Sequence, residues 1–148
     1  MPLNAPIAGT AHIMNEDIKR LIPQRNPILM VDSLLSAEEG VATTAFTVKD
    51  GDMLTTEGQL MEVGLIEHIA QSASAFEGYK ALLNGATEPP EGMIGEVKKF
   101  TCYRQPKVGE CLHTTITMGV NCGDVTIITA ETRVGDELVA DTMMKIAM

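Results

Sequence analysis

Glu67 is the polar residue of this chain whose surroundings are least ordinary for a carboxylate. Its neighbours three and four positions away are Val63, Gly64, Ala70 and Gln71, and none is a cation. On a helix those positions share its face, so the acid has no local ion-pair partner. An apolar, small-residue stripe is expected to raise its pKa by desolvation, which suits proton transfer near neutral pH. The competing reading is a carboxylate at the rim of a core, still reached by water. His68 is the candidate base nearest in sequence, but adjacent helix positions point about 100° apart. The pair therefore serves one cleft only if a second subunit completes it; otherwise His68 is a packed or hydrogen-bonded residue at the strand layer. His12 falls in the N-terminal arm, and His113 alternates with Leu112 and Thr114 so as to face away from the core. A second constellation is basic. Lys98, Lys99, Arg104 and Lys107 are four of the 11 Lys and Arg, and they sit between Val97 and Val108 in a stretch free of Asp and Glu. This is either a docking patch for an acidic partner or a lysine-protected β edge.

The elements that position these residues follow from periodicity. From about Leu60 to Leu83 apolar residues recur at helical spacing (Val63, Ile66, Ile69, Ala70, Ala73, Phe76), and Ser72, Ser74, Ala75 and Gly78 keep the middle of this helix narrow. A short helix is expected over Glu16 to Ile22, capped by Asn15 and stopped by Pro23. Ile28 to Val31 with Leu34-Leu35 reads as a strand, and Val41 to Val48 as its returning partner. Four more strands are expected over Met93 to Tyr103, Cys111 to Val120, Val125 to Val134 and Leu138 to Ala147. In the last, Leu138, Ala140, Thr142, Met144 and Ile146 face one way, against Val139, Asp141, Met143 and Lys145, and one face is core. The result is an α+β chain with one long helix wrapped by antiparallel sheet.

Composition narrows the function. At 148 residues with 45% hydrophobic content, the chain suits one domain over 15–148 preceded by a loose arm over 1–14. No segment has the length of a membrane span or the form of a signal peptide, which points to the cytoplasm. Twenty acids against 11 bases give a net charge of −9, which opposes nucleic-acid binding. Cys102, Cys111 and Cys122 have neither disulfide nor zinc spacing, and no GxSxG, HExxH, phosphate-loop or dinucleotide motif occurs. No metal and no cofactor are expected. Ten methionines against 3% aromatics suit a flexible-chain ligand better than a stacked ring.

Three segments also carry a resemblance. Ile18 to Asp32 (IKRLIPQRNPILMVD) is similar to the opening of the hotdog-fold 3-hydroxyacyl-[acyl-carrier-protein] dehydratases, with Gln24 in place of the usual His. Gly64 to Gln71 (GLIEHIAQ) resembles their central-helix motif, with Glu67 in the position of the catalytic acid. Gly95, Lys98-Lys99-Phe100 and Arg104 to Glu110 follow in the family's order. The match covers about Asn15 to Met148. The family's His-bearing segment before the helix aligns without gaps to Asp52-Met53-Leu54-Thr55, so Met53 stands where the base is expected. A degenerate segment of this kind is typical of a divergent subset associated with polyene and pigment synthesis. The resemblance implies a hotdog fold and a homodimer or dimer-based oligomer with an acyl tunnel at the interface. It implies removal of water from a 3-hydroxyacyl thioester of an acyl carrier protein or coenzyme A, with Glu67 protonating the departing hydroxyl. Met53, Met61, Ile66 and Phe76 are the tunnel-lining candidates, with Gln71 beside them. Gly64 would offer its N–H to the thioester carbonyl, or else is a packing glycine. The basic patch would receive the acidic carrier. The rivals are thioester hydrolysis on the same fold and a non-catalytic subunit that forms a heteromer with a His-bearing homologue.

Overall fold

The computed structural model describes residues 18–88 and 94–147. The expected arm over 1–14, with His12, lies outside them, as do Asn15 and Met93. Six strands form one antiparallel sheet in the order β1-β2-β6-β7-β8-β5: β1 Ser33–Glu38, β2 Val41–Thr47, β5 Ile94–Cys102, β6 Cys111–Cys122, β7 Val125–Val134 and β8 Glu137–Ala147. A separate two-residue hairpin, β3 Thr55–Thr56 with β4 Gln59–Leu60, leads into the single long helix, α1 Glu62–Leu83. The helix lies across the face of β1, β2 and β6. Alternation decides that face: Ala42, Thr44, Phe46 and Val48 are buried on the β2 segment, and Thr142, Met144 and Ile146 on β8. Two-residue turns at Gly123-Asp124 and Gly135-Asp136 join β6 to β7 and β7 to β8.

Four local expectations are corrected. Ile28 to Val31 is not a strand, because its backbone bonds to side chains of α1 instead of a ladder; β1 starts at Ser33. The helix starts at Glu62 rather than Leu60, since Leu60 belongs to β4 and its N–H donates to Pro106 O at 2.8 Å. Val63 is 55% exposed, because the sheet covers the helix face centred on Leu65, Ile69, Ser72 and Phe76. Val139 is buried as well as Ala140, because a bulge at Thr132/Arg133 opposite shifts the β7–β8 register.

The short N-terminal helix is described only from Ile18, as one turn in which Leu21 N and Ile22 N both donate to Ile18 O. It ends before Pro23, which cannot continue it. Ile18, Leu21 and Ile22 are each fully buried against α1 and the sheet, at a gain of about 1.5–3 kcal/mol per side chain. The turn approaches so closely that a Cβ on Gly78 would stand 1.9 Å from Leu21 O. A plug of this kind fixes the path of the residues that follow, Gln24 among them.

Candidate active site

Glu67 and Gln71 are one helical turn apart on α1, and the Gln71 amide Nε2 donates to Glu67 Oε2 at 2.8 Å. The same amide nitrogen donates to Ile28 O at 2.7 Å, and Gln71 Oε1 accepts from Met30 N at 2.7 Å. Gln71 is 1% exposed, so its orientation is set by these three bonds. It holds one carboxyl oxygen of Glu67, Oε2, in place.

The two side chains line a cavity of about 310 Å³ between α1 and the β5 edge of the sheet. Gln24, Glu67, Gln71 and Ser74 supply its polar side, and Ile66, Ala70, Gly95, Val97, Met144 and Ile146 its apolar side. The apolar floor consists of two cross-strand pairs, Gly95 with Ile146 and Val97 with Met144. Among the described residues that line the cavity, Glu67 is the only ionisable one. Gln24, where the resemblance has a His, carries a buried Oε1 without a hydrogen-bond partner among the described residues.

His68 is placed elsewhere. It is fully buried and stacks on Phe46 at 5.6 Å between ring centroids. Its Nδ1 lies 2.7 Å from Met30 O and its Nε2 2.7 Å from Thr114 Oγ1. A carbonyl only accepts, so Nδ1 carries the proton and Nε2 accepts from Thr114, which in turn accepts from Thr132 at 2.7 Å. Both ring nitrogens are thus committed, and the expectation of a catalytic His68 is corrected to the packed, hydrogen-bonded alternative within this chain. Burial holds its pKa at about 4, against the opposing pull of the Met30 carbonyl and Asp32. In the unfolded chain it titrates at the ordinary 6.5, so below that pH the unfolded state takes up the proton first. This contribution to stability is complete above pH 6.5 and is lost as pH falls toward 4, by about 3 kcal/mol in all. Urea unfolding on both sides of this window will show a steeper acid loss for the wild type than for His68→Gln; equal slopes would mean that His68 is solvated.

The other expected contacts divide. Ile66 and Gln71 line the cavity beside Glu67. Phe76 does not: it is fully buried in the main core cluster. Met53 is 58% exposed in the loop before the hairpin, and Met61 is the N-cap residue of α1; neither lines the cavity. Gly64 N donates to Met61 O at 2.9 Å, and a Cβ there would stand 2.5 Å from Leu60 Cδ1. Gly64 is therefore a packing glycine whose N–H is already used. His113 is exposed, as its alternation predicted. The cysteines are free, Cys102 and Cys111 half-buried and Cys122 exposed.

The basic stretch is acid-free in sequence but not in space. Arg104 Nε and Nη2 donate to Glu137 at 2.9 Å, and its Nη1 to Glu110 at 2.8 Å. The guanidinium holds both carboxyls below the usual carboxylate range. Lys98 pairs with Glu96 at 3.4 Å, Lys107 N donates to Glu110 Oε1 at 2.7 Å, and Lys99 borders a groove shared with Glu131 and Asp141. Arg104 is thus a structural clamp between β8 and the Lys107 to Glu110 turn.

Among the described residues, a six-stranded antiparallel sheet wrapped on one long helix defines a hotdog-fold protein. Within that class the chain belongs to the ApeP-like family (ApeP dehydratase), whose model matches residues 16–147. Among solved structures it is similar to the dehydratase heterocomplex ApeI:P from Xenorhabdus doucetiae, at 14% identity over 88% of this chain and 90% of that one, with a TM-score of 0.73. It is also similar to the E. coli PaaI protein from the phenylacetic acid degradation operon (16%, 78% and 81%, TM-score 0.61). A third is a hypothetical thioesterase with coenzyme A from Streptococcus pneumoniae (10%, 77% and 82%, TM-score 0.57). At these identities the three establish the fold alone. A comparison with curated protein sequences gives no match. No helix among the described residues is long and apolar enough to cross a membrane.

Proposed function

We propose that this chain supplies the acid half of a 3-hydroxyacyl-thioester dehydratase site of fatty-acid or polyene-type synthesis. The observation that carries the reading is Glu67, held by Gln71 in a cavity with an apolar floor. In the reaction a base removes a proton from C2 of the acyl thioester and the C2–C3 double bond forms. The C3–O bond breaks, and Glu67 gives its proton to the departing hydroxyl, which leaves as water. Proton return from the base to Glu67 resets the site. No described residue lining the cavity is suited to be that base, and in this reading a second subunit brings it.

Two features support a subunit seated over the cavity. Strand β5 is a nine-residue edge strand with Gly95 to Lys99 exposed, and an unpaired edge is a template for pairing with another chain. Val97 within that strand is 40% exposed, and Val63 on α1 is 55% exposed. The heterocomplex of the structural neighbour from Xenorhabdus makes a His-bearing hotdog homologue the partner to test first. The acyl group arrives on an acyl carrier protein or on coenzyme A. Lys98, Lys99 and Lys107 remain the proposed contacts for an acidic carrier, while Arg104 is withdrawn from that role. Reversing Lys98 and Lys99 should therefore slow association with a carrier protein and flatten its salt dependence, with less effect on a coenzyme A substrate. Equal effects on both would remove the patch.

Product analysis separates this reading from hydrolysis on the same fold. With a 3-hydroxyacyl thioester, mass spectrometry is expected to find the trans-2-enoyl thioester with its thioester bond intact. Free acid and free thiol as the main products would replace the dehydratase reading with thioester hydrolysis.

A further inference from the structure

Each described glycine but one has a structural reason to be glycine. Seven have φ between 59° and 99°, the left-handed region that side chains avoid. Gly64, Gly78 and Gly119 have no room, since an added Cβ would stand 2.5, 1.9 and 2.8 Å from its nearest neighbour. Gly95 has neither constraint. Its φ is not left-handed, and a Cβ there would meet only Ile146 Cγ2 at 3.8 Å, an ordinary contact. It nevertheless sits inside β5, where glycine weakens a strand and commonly marks the close approach of a ligand or another backbone.

What distinguishes Gly95 is its place. It lines the same cavity as Glu67, and its cross-strand partner Ile146 lines that cavity too. A missing side chain between Ile146 and Val97 leaves a slot in an otherwise apolar surface. We propose that Gly95 is a specificity-determining position: the slot takes the acyl chain of a thioester substrate beside Glu67, and a side chain there would cap the chain length admitted. The proposal rests on the acyl-thioester reading above.

The test is binding, which needs no base. Dissociation constants are measured by calorimetry for saturated acyl pantetheine thioesters of increasing chain length, with wild type, Gly95→Ala and Gly95→Val. Because the added Cβ clashes with nothing, Gly95→Ala is expected to melt no lower than wild type, and a melt of Gly95→Val is recorded beside it to separate any packing cost of the two methyls from the effect on binding. Short chains are expected to keep their affinity. Long chains are expected to lose about tenfold or more with valine and less with alanine, in keeping with the tens- to hundredfold effect of one methylene in an apolar pocket. A chain-length profile identical to wild type would overturn the proposal. So would a uniform loss at every length, which would show instead that glycine admits the neighbouring strand of a second subunit. If the wild type binds no acyl pantetheine at all, the thioester reading fails and the proposal with it.

Discussion

Glu67→Gln lowers enoyl-thioester formation by about 10²- to 10⁴-fold while leaving the fold intact. That is the usual loss when a positioned proton donor is removed. The substitution is near-isosteric, and the new amide still presents an oxygen to Gln71 Nε2, so the bond to Gln71 and the docking of Ile28 and Met30 on it survive. The loss should therefore fall on kcat, with KM little changed, because the carboxyl acts on the departing hydroxyl and not on the acyl chain. The check is steady-state product formation at saturating substrate by the mixture with the base-bearing partner, beside a thermal melt of this chain. Unchanged turnover would make Glu67 a structural carboxylate.

The second large effect concerns stability. A Cβ on Gly78 would lie 1.9, 2.6 and 2.8 Å from Leu21 O, C and Cα. These are backbone atoms, which cannot rotate away, so Gly78→Ala must push the turn over Ile18 to Ile22 off the helix or move the helix off the sheet. Either exposes part of three fully buried aliphatic side chains. The expected cost is about 3 kcal/mol, a fall in melting temperature of roughly 10 °C for a domain of this size. Gly95→Ala, with its nearest atom at 3.8 Å, is the matched control and should cost nothing. Because the turn leads directly into Gln24 at the cavity, acyl binding should weaken with it. A Gly78→Ala protein as stable as the wild type would mean that the turn is not seated as described.

How far the sequence was legible depends on the range of the contact that decides each residue. The strands and the helix rest on local periodicity, and the sheet follows them, down to the buried alternation of Ala140, Thr142, Met144 and Ile146 on β8. Ile66, Glu67 and Gln71 lie together in one short motif of α1, which is what let the sequence mark them as candidates, and all three line one cavity. His68 was not. Its role is set by Met30 O and Thr114 Oγ1, 38 and 46 positions away, and nothing in the spacing of α1 shows that the sheet covers it. The same holds for Arg104, whose acid-free neighbourhood in sequence is filled by Glu137 from β8. Ile28 to Val31 has the composition of a strand, but Gln71 and His68 claim its backbone groups before another strand can. Gln24 and Gly95 were marked by the resemblance alone. Only the geometry gave them a cavity to line.

The account stands on a site divided between two chains, with the acid on this one. Enoyl-thioester formation is therefore to be measured for the wild-type chain alone, for a His-bearing hotdog homologue alone, and for the two together, with Glu67→Gln substituted in a fourth mixture. The expected result is little product from either chain alone, a rise of about 10²- to 10⁴-fold on mixing, and loss of that rise with Glu67→Gln. Full activity of this chain alone, or a rise on mixing that survives Glu67→Gln, would contradict it.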